Sequence, residues 1–103
     1  WRDDLLRVNG FDERFEGYGS EDQDLAKRMR HAGITRRQLK FAGLAIHLFH
    51  ASRAPGDPND MSLPANRMIA ETLRTRAVRC ELGIDAHRAE FAERPPDLRG
   101  AAA

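Results

Sequence analysis

Cysteine, tryptophan and tyrosine each occur once in this 103-residue chain. No apolar run approaches the length that spans a bilayer. The single thiol, Cys80, excludes an internal disulfide framework and, placed on a helix, reads as a buried or idle side chain. With neither a membrane span nor a secretory signal, the expected location is the cytoplasm or the cytoplasmic face of a membrane. An excess of one charge is lacking too: 17 Lys and Arg stand against 16 Asp and Glu, a net charge of +1. That balance argues against duplex DNA or an anionic membrane as an electrostatic partner. There are no internal repeats. Apolar content is 41% and charged content 32%, so the chain supports one domain at most, with a modest core and a large wet surface. It opens on Trp1 rather than methionine, and Trp1-Arg2-Asp3-Asp4 is expected to be the middle of a longer protein.

What the chain does contain is concentrated in Gly17-Tyr18-Gly19-Ser20-Glu21-Asp22-Gln23-Asp24-Leu25. Two glycines flank an aromatic, two adjacent carboxylates follow, and an amphipathic pattern begins. Ser20 stands at the N-cap position, and Gln23 completes a capping box. Leu25, Met29 and Ala32 share one helical face, and Gly33 stops the pattern. Lys27, Arg28, Arg30 and His31 lie in its second half, where the macrodipole favours cations. Glu21 and Asp22 therefore fall in the first turn. Acidic groups there stabilise a helix by about 0.3–1 kcal/mol each. The same placement suits a catalytic carboxylate on a rigid element, with Gly17 and Gly19 letting a ligand approach the backbone. Tyr18 offers a flat face and a hydroxyl suited to a sugar ring, or simply a ring that covers the core. The residues alone leave both open.

Around this stretch the chain reads as follows. Asp3 or Asp4 caps a short helix carrying Leu5, Leu6 and Val8 and ended by Asn9-Gly10. Phe11-Asp12-Glu13-Arg14-Phe15 is a compact turn, with both phenylalanines anchored in a core and both acids facing solvent or capping N–H groups. Weak alternation over 36–41 and an apolar run over 44–49 predict two short strands around Gly43. Residues 51–64 have loop chemistry, and a long loop in a small domain is often functional. A second helix is expected from Leu63 or Pro64 to about Leu82, with Met68, Ile69, Leu73, Arg76 and Cys80 on one side and Gly83 as its stop. From Asp85 onward the charge, Pro95-Pro96 and the closing alanines read as a frayed tail.

His47-Leu48-Phe49-His50 ends the apolar run. Two histidines at this spacing can share a metal ion, but an ideal strand puts i and i+3 on opposite faces. One ion fits both only if the strand twists, bulges or ends there. No second ligand cluster supports a closed zinc site.

Taken together, Asn9-Gly10-Phe11-Asp12-Glu13, Phe15, Gly17-Tyr18-Gly19, Glu21-Asp22, Asp24-Leu25, Arg28, Gly33 and His50 form a pattern. It resembles the C-terminal half of family-2 inverting glycosyltransferases with the GT-A fold, most nearly the galactosyltransferase-type C-terminal region. The likeness covers residues 1–66; 67–84 is then a C-terminal helix and 85–103 the tail. It implies an α/β architecture, here an α+β fragment of short helices, two short strands and a long C-terminal helix. It also implies an inverting hexosyltransferase-type enzyme that moves a sugar from a nucleotide-sugar donor, expected to be a UDP-sugar, to a carbohydrate or glycolipid acceptor.

Carried over by position, the resemblance makes Asp22 the general base and Glu21 the group that orients the acceptor. Gly17, Tyr18, Gly19 and Ser20 would line the substrate, with Tyr18 where the family has tryptophan and Ser20 where it has glycine. His50 would complete the metal site, and His47 stands where the galactosyltransferases place a methionine ligand. Imidazole with carboxylate and phosphate oxygens suits Mn²⁺ better than Mg²⁺. The family's nucleotide-binding half, with its D-x-D motif, is not in this sequence. Asp22-Gln23-Asp24 has those letters but lies inside a helix, the wrong place for a diphosphate-metal site. The chain alone is therefore expected to be inactive.

Two other readings compete. Ala32-Gly33-Ile34-Thr35 followed by Arg36, Arg37 and Lys40 has the look of a helix-turn-helix over residues 20–40, which predicts a recognition helix over 36–39. A non-catalytic glycosyltransferase fragment that only binds or packs is the other.

Overall fold

The computed structural model describes residues 2–17, 19–51, 56–57 and 59–92. It contains four helices, α1 (Arg2–Val8), α2 (Glu21–His31), α3 (Pro64–Thr75) and α4 (Ile84–Ala92). Acidic residues fill the first turns of α1 and α2, and Pro64 opens α3, where its missing N–H leaves no helical bond unmade. α2 ends as Ala32 and the left-handed Gly33 close its last turn onto the carbonyls of Arg28 and Arg30. It packs against both α1 and α3.

The centre of this packing is polar. Val8, Ala32 and Cys80 are the buried apolar residues among those described, and they share the interior with Asn9, Asp12, Asp24 and Arg28. Asp24 and Arg28, one turn apart on α2, are both 1% exposed and joined from Arg28 Nε to Asp24 Oδ2 at 2.7 Å. The rest of the Arg28 fork donates to the carbonyls of Val8 (2.6 Å) and Gly10 (2.8 Å). These acceptors lie at the end of α1, where carbonyls run out of helical partners. Arg79 does the same for Leu6 (2.9 Å) and Arg7 (3.2 Å). Two arginines from distant parts of the chain thus cap α1.

Asn9 is the second joint. Its side-chain amide donates to the Cys80 carbonyl at 3.1 Å, and its Oδ1 accepts the Asp85 N–H at 2.8 Å. Its backbone carbonyl accepts Ile84 N–H at 3.0 Å, so Asn9 caps the start of α4 from outside that helix. Residues 77–83 cross the turn so closely that a branch at Gly83 would stand 2.1 Å from the Asn9 carbonyl oxygen.

Several expectations are corrected here. The helix begun at Pro64 does not reach Leu82: Arg76 turns left-handed at φ 53°, and 77–83 run irregularly across the Asn9 turn. Cys80 is accordingly buried from that crossing segment rather than from a helix. Its Sγ faces backbone carbonyls, and burial pushes its thiol pKa up. Residues 85–92, expected as part of the tail, belong to α4 because Asn9, Arg79 and Glu13 supply partners that local sequence does not show. Phe11 is 52% exposed instead of anchoring a core, whereas Asp12 is buried. Burial alone would raise the Asp12 carboxyl, but the Arg14 guanidinium and backbone N–H hold it below the ordinary carboxylate range.

The two strands expected over 36–41 and 44–49 do not form, and no strand occurs among the described residues. The whole of 35–51 is exposed, with Leu39, Phe41, Leu44, Ile46, Leu48 and Phe49 between 75% and 100% accessible. A strand exists only through a ladder with a neighbour, and no described residue bonds to the backbone N–H groups of this segment. Nor is there a helix over 36–39, so the helix-turn-helix lacks its recognition helix. No helix among the described residues is long and apolar enough to cross a membrane.

Candidate functional site

The acidic pair sits at the mouth of α2. Glu21 and Asp22 are exposed, and neither joins an ion pair among the described residues. Asp22 Oδ1 accepts the neighbouring Gln23 N–H at 2.7 Å, which leaves its second oxygen open to solvent. The approach to the mouth is left-handed at Gly17 (φ 86°), Gly19 (φ 84°) and Ser20 (φ 78°). Glycine adopts this backbone without penalty and, at both positions, nothing lies within 4 Å of where a side chain would begin. Tyr18, assigned to the substrate, lies outside the described residues.

The expected capping box is absent. A capping serine takes an extended backbone so that its oxygen meets the first free N–H groups. Ser20 is left-handed and makes no side-chain cap bond; its backbone carbonyl accepts Asp24 N–H at 2.9 Å. The Asp22 carboxylate occupies one of the free N–H groups in its place.

The two histidines are brought together. Their Nε2 atoms lie 3.0 Å apart, with ring centres 4.9 Å apart and planes inclined by 31°. The obstacle of opposite strand faces disappears because no strand forms. His50 Nδ1 lies 3.0 Å from the Ala51 carbonyl oxygen, which can only accept. In the neutral ring the proton is therefore on Nδ1, and the Nε2 lone pair accepts the His47 Nε2–H; this is the tautomer in which a metal-ligating histidine is usually held. Two nitrogens about 2.1 Å from one ion and at right angles to each other stand about 3 Å apart, so the separation of the pair, though not the mutual hydrogen bond, matches that of two ligands of a single cation. Among the described residues, no group of three or more His, Cys, Asp or Glu side chains could hold a metal ion.

No hydrogen bond or ion pair links the acidic pair to the histidines. An open cleft beside α3, lined by Asp12, Arg14, Met68, Glu71 and Thr72 among others, contains none of the predicted site residues. Four residues of the motif to which the sequence reading gave no site role are structural: Asn9, Asp12, Asp24 and Arg28 are all buried and bonded. The i,i+4 spacing of Asp24 and Arg28 was a visible signal for one of these bonds. Their partners Thr72, Cys80 and Asp85 carried none.

Residues 1–51, just under half of the chain, match the family model described as the N-terminal domain of galactosyltransferase. That description places the segment in an N-terminal domain, whereas the motifs read from the sequence resemble a C-terminal region; likeness to galactosyltransferases is common to both. No curated protein and no solved structure matches the chain. Glu21, Asp22, His47 and His50 all fall inside the matched segment, and α3 and α4 lie beyond it.

Proposed function

We propose that this galactosyltransferase-like chain is the acceptor- and metal-binding part of an inverting GT-A glycosyltransferase that uses a nucleotide sugar, in the first instance a UDP-sugar. The supporting observation is how the motif divides. Asn9, Asp12, Asp24 and Arg28 are buried in bonds that hold the fold, whereas Glu21, Asp22, His47 and His50 are exposed. Exposed polar residues whose bonds are local, inside a segment that resembles galactosyltransferases, are available for chemistry.

In this reading the acceptor hydroxyl lies against Asp22. As its oxygen forms the bond to the anomeric carbon, its proton passes to the Asp22 carboxylate, and the sugar's bond to the nucleoside diphosphate breaks on the opposite face. A single base and no covalent intermediate give inversion. Glu21 accepts a hydrogen bond from the acceptor sugar and fixes its orientation. The left-handed backbone at Gly17 and Gly19 admits the ring, and Tyr18 is assigned to cover it. His50 and His47 would hold a divalent cation, Mn²⁺ rather than Mg²⁺ given imidazole donors. That ion, when bound, neutralises charge growing on the departing diphosphate. The remaining ligands and the nucleotide site belong to a nucleotide-binding half outside this chain, whose sheet would pair with residues 36–41 and 44–49.

In the complete enzyme, Asp22→Asn should lower transfer by roughly 10²–10⁴-fold, the usual worth of a general base, while Mn²⁺-dependent nucleotide binding persists. Undiminished transfer removes Asp22 from this role. His50→Ala should instead weaken metal and donor binding, read by titrating Mn²⁺ against nucleotide affinity.

A further inference from the structure

The mouth of α2 is not anchored from upstream: Gly17, Gly19 and Ser20 are left-handed, and Ser20 makes no side-chain cap bond. Its first turn is held instead at Asp24, two residues after Asp22. Asp24 Oδ2 receives Arg28 Nε at 2.7 Å, a bond internal to α2. Its Oδ1 receives the Thr72 hydroxyl of α3 at 2.6 Å. Among the described residues this is the one side-chain hydrogen bond joining the first turn of α2 to another helix.

We propose that Thr72, outside the galactosyltransferase-like segment, is a positioning residue that sets where the Asp22 carboxylate points. The inference rests on the function proposed above for Asp22. A hydroxyl donating to a buried carboxylate is a short, charge-assisted bond, stronger than one between neutral groups. Asp24 accepts it rigidly because Arg28 is itself fixed on the Val8 and Gly10 carbonyls. A rotation or slide of α2 against α3 must break this bond, and it would carry Asp22 with it. α3 therefore supplies no group to the reaction but determines the geometry of one that does.

The test uses the full-length protein carrying Thr72→Val, which removes the hydroxyl at nearly constant shape, and Thr72→Ser, which keeps it. Valine should lower kcat by roughly ten- to a hundredfold, the cost of misplacing a reacting group by about 1 Å, with donor KM unchanged. Amide exchange at Gln23 and Asp24, the bonded amides of that turn, should rise about tenfold, as expected for a lost bond to a charged acceptor, while the Cys80 and Ile84 amides keep their protection. Serine should restore both. Unaltered exchange at Gln23 and Asp24 in the valine variant overturns the proposal, as does an unaltered kcat. So does a loss of protection spread evenly over all four helices, or a serine variant that fails to recover. If the wild-type protein transfers no sugar, the function assigned to Asp22 falls, and exchange at Gln23 and Asp24 alone decides whether Thr72 fixes that turn.

Discussion

Asn9, Asp12, Asp24 and Arg28 form a polar interior, while 35–51 form an apolar exterior, the reverse of what hydropathy alone would assign. The first region stays buried because every donor and acceptor is answered: no buried side-chain nitrogen or oxygen among the described residues is without a partner. The second stays exposed because its apolar groups and its backbone both need a neighbour, and the described chain offers none. Bonding supply, not hydrophobicity, decides which part of this chain is inside. The difference also separates structure from chemistry within one motif, since its buried members hold the turn and its exposed members remain free to act.

The comparison can be broken at the hub first. Arg28→Ala leaves Asp24 buried beside Thr72 and frees the α1 carbonyls, and it should cost about 3–5 kcal/mol, the usual penalty for unpairing a buried ion pair. Domain stabilities are about 5–15 kcal/mol, so urea titration should show a largely unfolded or strongly shifted protein. A shift below 1 kcal/mol would mean that the polar interior is not what holds the helices.

A smaller effect is expected with pH at α4. His87 Nε2 lies 2.7 Å from Glu13 Oε1, with Glu90 also nearby, and the Glu13 bond raises its pKa above the ordinary 6.5. A folded-state value above the unfolded one means that this stabilisation is fully present below pH 6.5 and is lost as pH rises through the folded value. Exchange protection of α4 should therefore fall as the pH rises above 6.5, and His87→Gln should remove the dependence.

The smallest effect is expected in the exposed segment. Ile46→Lys should change the stability of this chain by no more than about 0.5 kcal/mol, as for surface substitutions generally. In the complete enzyme the same change should be strongly destabilising if 44–49 pairs into a sheet there. Equal tolerance in both would show that the segment stays exposed and that the proposed strand pairing is wrong.

The bounds of α1 and α2 and the start of α3 were legible in the residues because they depend on neighbours a few positions away. Acidic first turns, Pro64 and Gly33 are local signals, and α1 and α2 lie where those signals put them. The burial of Asp12, the break at Arg76 and the capping of α4 by Asn9 were not legible, because each depends on a partner supplied from elsewhere in the fold. The strand expectation failed for a related reason: residues 44–49 have strand composition, but a ladder is a property of two segments. At the candidate site, the family resemblance assigned roles to Glu21, Asp22, His47 and His50 that the residues alone left open, and only the three-dimensional arrangement brought the two imidazoles to 3.0 Å and left both carboxylates exposed. What the residues determined by themselves was the identity of the groups and the helices that carry them. Which of those groups became interior bonds and which stayed accessible was decided by tertiary contacts, because a polar side chain is buried only where another part of the chain replaces the water it gives up.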